Sequence, residues 1–343
     1  MASYSRLNPE DLVVSTDKVV SNAWDNNVDE LTTHFTSSAQ EAYTDATSQG
    51  NFFIEVREGE DTVSSSIEYT VSYGHKAGSG SRNFTNTAGA LGNTATKVIY
   101  NQYRQLVFGD ETSNFTFNGF ESNDIWVINV ARGRYKHALK AGSLNLKLAD
   151  GSTNTFLTDD SVTSSGSATI TNLGRQFNLV SGSDGIMSGS SLDQTLGAND
   201  SSGSFGFVYP DAGIIIFNAE CLRNVGPTYW LEGTAASTEK NGQKMFDAIK
   251  DGGSFILDSE EKVSSQYMFV RVKNSEFNYS SNPSYIDTNG NLNNTTMADS
   301  PTTYITTVGL YNDDNNLLAV AKLSQPLKKD FTTETLIRVK LDY

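Results

Sequence analysis

Residues 304–343 read YITTVGLYNDDNNLLAVAKLSQPLKKDFTTETLIRVKLDY. The runs 304–311 and 317–323 flank NDDNN, a turn longer than two residues, and this is the pattern of a β-hairpin. Farther on, Ile337, Val339, Leu341 and Tyr343 alternate with Arg338, Lys340 and Asp342, as a half-buried strand does. No grouping of catalytic residue types interrupts these strands. The stretch predicts a mainly β fold with a few short helices (α+β), built from antiparallel sheets with long polar loops.

Working outward, the same signals recur. Residues 266–272 form a further strand, and 124–130 (DIWVINV) is so continuously apolar that it belongs in the middle of a sheet. Residues 52–56 and 67–73 read as strands. In the second, Ile67, Tyr69, Val71 and Tyr73 alternate with polar residues, which predicts one buried face. Leu144, Leu146 and Leu148 alternate likewise, and 168–170 and 176–180 are short strand signals. FGFVYPDAGIIIFN (205–218) reads as strand, Pro-Asp turn and buried strand. Two helices stand out. ATKVIYNQYRQLVFGD (95–110) places Ile99, Tyr103, Leu106 and Val107 on one stripe, with Thr94 or Thr96 to cap its start and Gly109 to end it. Residues 238–250 carry Met245, Phe246 and Ile249 on one side, with Gly252 as C-cap. A short helix is expected over 38–48 and a flexible loop over 74–81 (GHKAGSGS).

In residues 1–45 the anchors Leu12, Val13, Val14, Val19, Val20, Trp24, Leu31 and Phe35 follow no sustained period. That predicts an extended docking arm. The expected division is the arm (1–45), a β-rich domain with one helix (46–150), a loop-rich β insertion with one helix (151–260) and a C-terminal hairpin segment packed on the main sheet (261–343).

Composition narrows the function classes. Forty acidic against 25 basic residues leave a net charge of −15, which excludes nucleic acid as a primary partner because phosphate binding needs clustered cations. No stretch approaches the roughly 20 apolar residues of a membrane span, so no membrane insertion is expected. No secretion signal is visible, which predicts synthesis in a cytoplasm. A single cysteine, Cys221, excludes an intrachain disulfide, and its place after Ile214–Phe217 reads as a buried small hydrophobe.

The search for chemistry returns neither a catalytic nor a cofactor site. His34, His75 and His137 are far apart, with no HExxH, so no zinc site is read. GHKAGSGS lacks both phosphate-loop spacings. The carboxylate pairs Asp159-Asp160, Glu260-Glu261 and Asp313-Asp314 are adjacent in sequence, and neighbours on a strand point to opposite faces. DTNGNLN (287–293) places oxygens at alternating positions, but Leu292 stands where a calcium loop needs glycine, so it reads as a turn.

Two contact features remain. Arg132, Arg134, Lys136, His137 and Lys140 concentrate positive charge in an acidic chain, as a solvated run or as a contact with an acidic surface of a neighbouring subunit. Trp24, Phe35 and Tyr43 are either local core or interface anchors.

Several segments resemble one protein group. RLNPEDLVVSTDKVVSNAWDNNVDELTTHFTSS (6–38), IEYTVSYGHKAGSGS (67–81), KVIYNQYRQLVFGDE (97–111), DIWVINVARGRYKHALKAGSLNLKLADG (124–151), VYPDAGIIIFNA (208–219) and VRVKNSEFNYSSNPSY (270–285) are similar to virion structural proteins of marine cyanophages and related contractile-tailed phages. The resemblance spans most of the chain. It implies a tail or baseplate subunit whose partners are copies of itself and other tail proteins, made in the host cytoplasm and ending in the virion. It carries no catalytic residue. The alternative is a tail protein that contacts a host receptor or glycan, with a depolymerase or a capsid decoration protein further off.

Overall fold

The computed structural model describes residues 4–36, 53–59, 65–80, 94–149, 154–189, 192, 203–223 and 241–342. The expected helix over 38–48 and Tyr43 lie outside them. In chain order the strands are β1 (Leu12–Asn22), β2 (Glu30–Leu31), β3 (Phe53–Arg57), β4 (Ile67–His75), β5 (Thr116–Phe117), β6 (Phe120–Glu121), β7 (Asp124–Val130), β8 (Ala138–Leu139), β9 (Asn145–Ala149), β10 (Asn154–Asp159), β11 (Thr169–Thr171), β12 (Gly174–Ser183), β13 (Ile186–Met187), β14 (Gly206–Tyr209), β15 (Ile214–Asn218), β16 (Ser254–Ile256), β17 (Asp258–Val272), β18 (Thr303–Tyr311), β19 (Leu317–Lys329) and β20 (Thr335–Asp342). The helices are α1 (Ala95–Phe108), α2 (Ala219–Arg223) and α3 (Asn241–Lys250). The fold is mainly β with antiparallel sheets, as the sequence predicts.

Two compact units emerge: residues 19–261, and residues 1–18 together with 262–343. The larger is organised by one sheet in the order β2-β16-β9-β10-β12-β14-β15-β7-β4-β3, with β11 and β13 also paired to β12. β7 is central, as its apolar run requires, and pairs antiparallel with β15 and β4. Both faces of the sheet are covered. Ile125 and Val127 enter a core with Ile99, Tyr100, Tyr103 and Val107 of α1. Trp126, Ile128 and Val130 enter the opposite core with Met245, Phe246 and Ile249 of α3. Each such buried side chain contributes about 1.5–3 kcal/mol.

α1 ends as expected. Gly109 takes the left-handed conformation (φ 76°) and its N–H bonds the Gln105 carbonyl at 3.0 Å. Thr94 holds the N-cap position, but its hydroxyl donates to the Gly78 carbonyl at 2.6 Å and does not cap the helix. The buried face is also turned from the predicted stripe, toward Tyr100 and Arg104. Ile99, Tyr103 and Val107 are buried at i, i+4 and i+8, whereas Leu106 turns outward and is 41% exposed.

Two local readings need correction. β4 is buried on both faces, because α1 covers the side that carries Ser72 and Gly74 while Tyr69, Val71 and Tyr73 enter the core that α3 shares. The glycine run beginning at Gly74 is not a loop at its start: Gly74 lies in β4, where a Cβ would stand 2.7 Å from the Tyr100 nitrogen. The glycine there admits the helix backbone against the strand. Residues 76–80 then turn, closed by the Gly78 N–H on the His75 carbonyl at 2.9 Å, while the Lys76 N–H on the Asn123 carbonyl extends the pairing with β7.

In the smaller unit β17 pairs with β20 from Ser265↔Asp342 to Val272↔Thr335, and β18 pairs with β19. The NDDNN turn closes that hairpin, with Asn315 at φ 61° and the Asn316 N–H on Asn312 Oδ1. Ile337 and Val339 are buried, with Met268, in a core cluster of three side chains, while Leu341 is exposed. Lys329 is buried too. Its ammonium gives one hydrogen bond each to the Asn274 carbonyl, Asn278 Oδ1 and the Asp330 carbonyl at 2.8–2.9 Å, which uses all three donors.

Candidate functional site around Arg134

The basic run leaves the central strand directly. After Val130, the Ala131 N–H bonds the Glu68 carbonyl, and Arg132–Arg134 form one 3-10 turn. Arg132 folds back on its own loop, with its guanidinium 4.5 Å from the Tyr135 ring centroid and bonded to the Tyr135 and Lys136 carbonyls.

Arg134 is the centre of the site. Its Nη1 lies 3.1 Å from Asp25 Oδ1 and its Nε 3.0 Å from Glu68 Oε2. It also donates to the Ser66 hydroxyl, which in turn donates to Asp25 Oδ2 at 2.8 Å. Glu68 is fully buried at the start of β4. Burial pushes its carboxyl up to about 7. Arg134 and the nearby Asp25 N–H pull it down, and the Asp25 and Glu58 carboxylates push it further up. Neither Glu68 oxygen accepts a hydrogen bond of good geometry.

The remaining cations of the run also find acids of the same chain. Lys136 Nζ lies 2.9 Å from Glu261 Oε2, and Lys140 Nζ 3.2 Å from Asp258 Oδ2. The acidic surface that the sequence seeks on a neighbour is supplied, for three of these residues, from within. The two lysine pairs are exposed and contribute little, about 0–1 kcal/mol each. A partly open pocket of about 200 Å³ adjoins Arg134, between residues 21–24 on one side and 133–136 on the other. This is smaller than the roughly 300–1,000 Å³ of small-molecule sites.

Trp24 takes the core alternative. It is 2% exposed, packs on Phe255 and Tyr69, and its Nε1–H donates to the Phe255 carbonyl at 2.8 Å. Its ring is therefore withdrawn from any contact surface. Phe35 is half-buried and exchanges two backbone hydrogen bonds with Arg57.

No family model matches the chain. No curated protein and no solved structure matches it either. The site must therefore be read from its own chemistry.

The other candidate groups resolve into structural roles. His34 is buried against the Tyr69 hydroxyl at 3.1 Å, and burial lowers its pKa to about 4, so it is neutral. His75 Nδ1 accepts the Ala77 and Ser79 N–H groups. Cys221 is buried. Asp159 accepts the Gly142 and Ser161 N–H groups, and Asp160 binds Asn178. Asp287 Oδ1 accepts the Asn289 and Asn291 N–H groups, as a turn requires. Among the described residues no helix is long and apolar enough to cross a membrane.

Asp25, Glu58 and Glu68 escape sequence reasoning. Glu68 is the polar member of an alternating strand, and Asp25 follows a tryptophan in a stretch without period. The available signal was the charge run itself, since an arginine placed directly after a buried strand needs a counter-charge close by.

Proposed function

We propose that the chain is a virion structural subunit of a contractile phage tail, in the tail or baseplate, and acts by protein–protein assembly with copies of itself and other tail proteins. One observation carries the assembly reading. In the smaller unit the core cluster has three buried apolar side chains with eight more only partly buried against them, yet Val13, Val14, Tyr304, Leu317, Leu318 and Val320 stand 47–68% exposed. Apolar surface displayed on that scale, beside so small a core, is characteristic of a surface that a partner covers. Specific interfaces bury roughly 1,200–2,000 Å² in total, and exposed strands of this length supply such an area. The placement in a phage tail rests on the resemblance of the segments quoted above.

The test is the copy number of the chain in purified phage particles, by quantitative mass spectrometry. A small multiple of three or six supports a tail or baseplate subunit. Hundreds of copies would move it to the capsid or tail tube, and absence from particles overturns the proposal. A glycan array on the isolated chain separates the alternative, a host-binding tail protein, from a scaffold.

A further inference from the structure

Three carboxylates from three separate segments meet beside Arg134. Asp25 comes from the turn after β1, Glu58 from the end of β3 and Glu68 from the start of β4. The β3–β4 hairpin pairs Arg57 with Ile67 next to a register shift, and Glu58 and Glu68 each follow one member of that pair in the chain. One oxygen from each of the three lies within 4.8 Å of the others. Oxygens that share a calcium ion at about 2.3–2.6 Å cannot be more than about 5 Å apart, so the spacing fits.

Charge and burial point the same way. Three carboxylates face one guanidinium. Arg134 engages Asp25 Oδ1 and Glu68 Oε2, and Glu68 Oε1 has no hydrogen-bond partner although the residue is fully buried. Exposed acidic clusters are ordinary. A fully buried carboxylate oxygen that accepts no hydrogen bond of good geometry, set against two further carboxylates, is not, because desolvation and repulsion then add. A bound cation would remove both costs.

We propose that Asp25, Glu58 and Glu68 form a binding site for a divalent cation of the calcium type, with Arg134 holding two of the three carboxylates in place. The all-oxygen donor set selects a hard ion over zinc or copper. Calcium fits better than magnesium because its coordination is flexible, and the Asp25 side chain, 43% exposed, leaves a side open for water. Once bound, the ion would tie the turn at Asp25 to the β3–β4 hairpin. This inference does not depend on the assembly role.

The experiment is a terbium titration of the full-length chain, excited through its tryptophans, because Trp24 adjoins Asp25 in the sequence. Calcium competition follows, then repetition with Glu68→Gln and Glu58→Gln. Circular dichroism confirms that each variant is folded. Glu58 is partly exposed, so its variant keeps the test valid if the buried Glu68→Gln substitution unfolds the chain. The expected result is a saturable signal, displaced by calcium and weakened at least tenfold in a folded variant. No saturation up to millimolar ion, or saturation that the folded variants leave unchanged, overturns the proposal.

Discussion

Replacing Trp24 by alanine tests whether residues 19–36 belong to a folded core or to a docking surface. The indole is 2% exposed, with its ring centroid 4.7 Å from that of Phe255 and 6.1 Å from that of Tyr69. Emptying such a site costs about 3–5 kcal/mol. The Phe255 carbonyl also loses the Nε1–H donor at 2.8 Å, a loss of about 1–3 kcal/mol that overlaps with the first. We expect about 4 kcal/mol for Trp24→Ala and about 1–2 kcal/mol for Trp24→Phe, which keeps a ring and loses the N–H. Urea unfolding of the isolated chain, followed by far-ultraviolet circular dichroism, reads both. With a slope of about 3 kcal/mol per molar urea, the alanine variant should unfold more than about 1 M earlier. A midpoint shift below about 0.2 M would refute the reasoning. If incorporation into particles were lost with that small shift, Trp24 would be an interface anchor after all.

Glu68 gives a pH prediction. Its folded pKa of about 7 lies above the ordinary 4.5, so the fold favours the neutral carboxyl; the stabilisation is complete below about pH 4.5 and is lost as pH rises through 7. The full difference corresponds to at most about 3 kcal/mol, and screening reduces it to about 1–2 kcal/mol. Urea midpoints measured without divalent ions should fall over this range in the parent chain and fall less in Glu68→Gln; parallel profiles would refute it. Gly206→Ala should destabilise the sheet by on the order of 3 kcal/mol or more, because φ is 154° there and a Cβ would stand 2.0 Å from the Ile216 carbonyl oxygen. A thermal midpoint within about 2 °C of the parent would contradict that account.

Local signals made much of the fold readable. The central strand, the Gly109 cap and the NDDNN turn each depend on residues within a few positions of one another, so a linear pattern records them. The site was not readable in this way. Arg134 meets Asp25 across 109 residues, and nothing in the spacing of either names the other. Trp24 sat among polar residues because its segment contributes only the two-residue strand β2 and a tight turn to the core, too short for any period to build. Leu106 misled for another reason. Apolarity alone places Leu106 on the helical stripe, whereas buried Arg104, with its guanidinium 5.0 Å from the Tyr100 ring centroid, takes part of the covered face.

The doubly covered sheet has a consequence for how the chain finds its pairing. In a half-buried strand, sliding by one residue drives polar side chains inward, and hydrophobicity alone rejects the error. β7 and β15 lack that safeguard. Sliding DIWVINV by one position would exchange Ile125 and Val127 for Trp126 and Ile128 and leave both faces apolar. Correct pairing must then be selected by the few residues that cannot be exchanged. Asp124 receives the Tyr73 hydroxyl at 2.9 Å, Asn218 donates to the Ser204 carbonyl, and Gly206 faces Phe217 where no Cβ fits. A misaligned sheet would be nearly as oily as the right one and would persist as a kinetic trap. The fidelity of folding in this chain is therefore entrusted to its polar and glycine positions, while the apolar residues between them supply adhesion without direction.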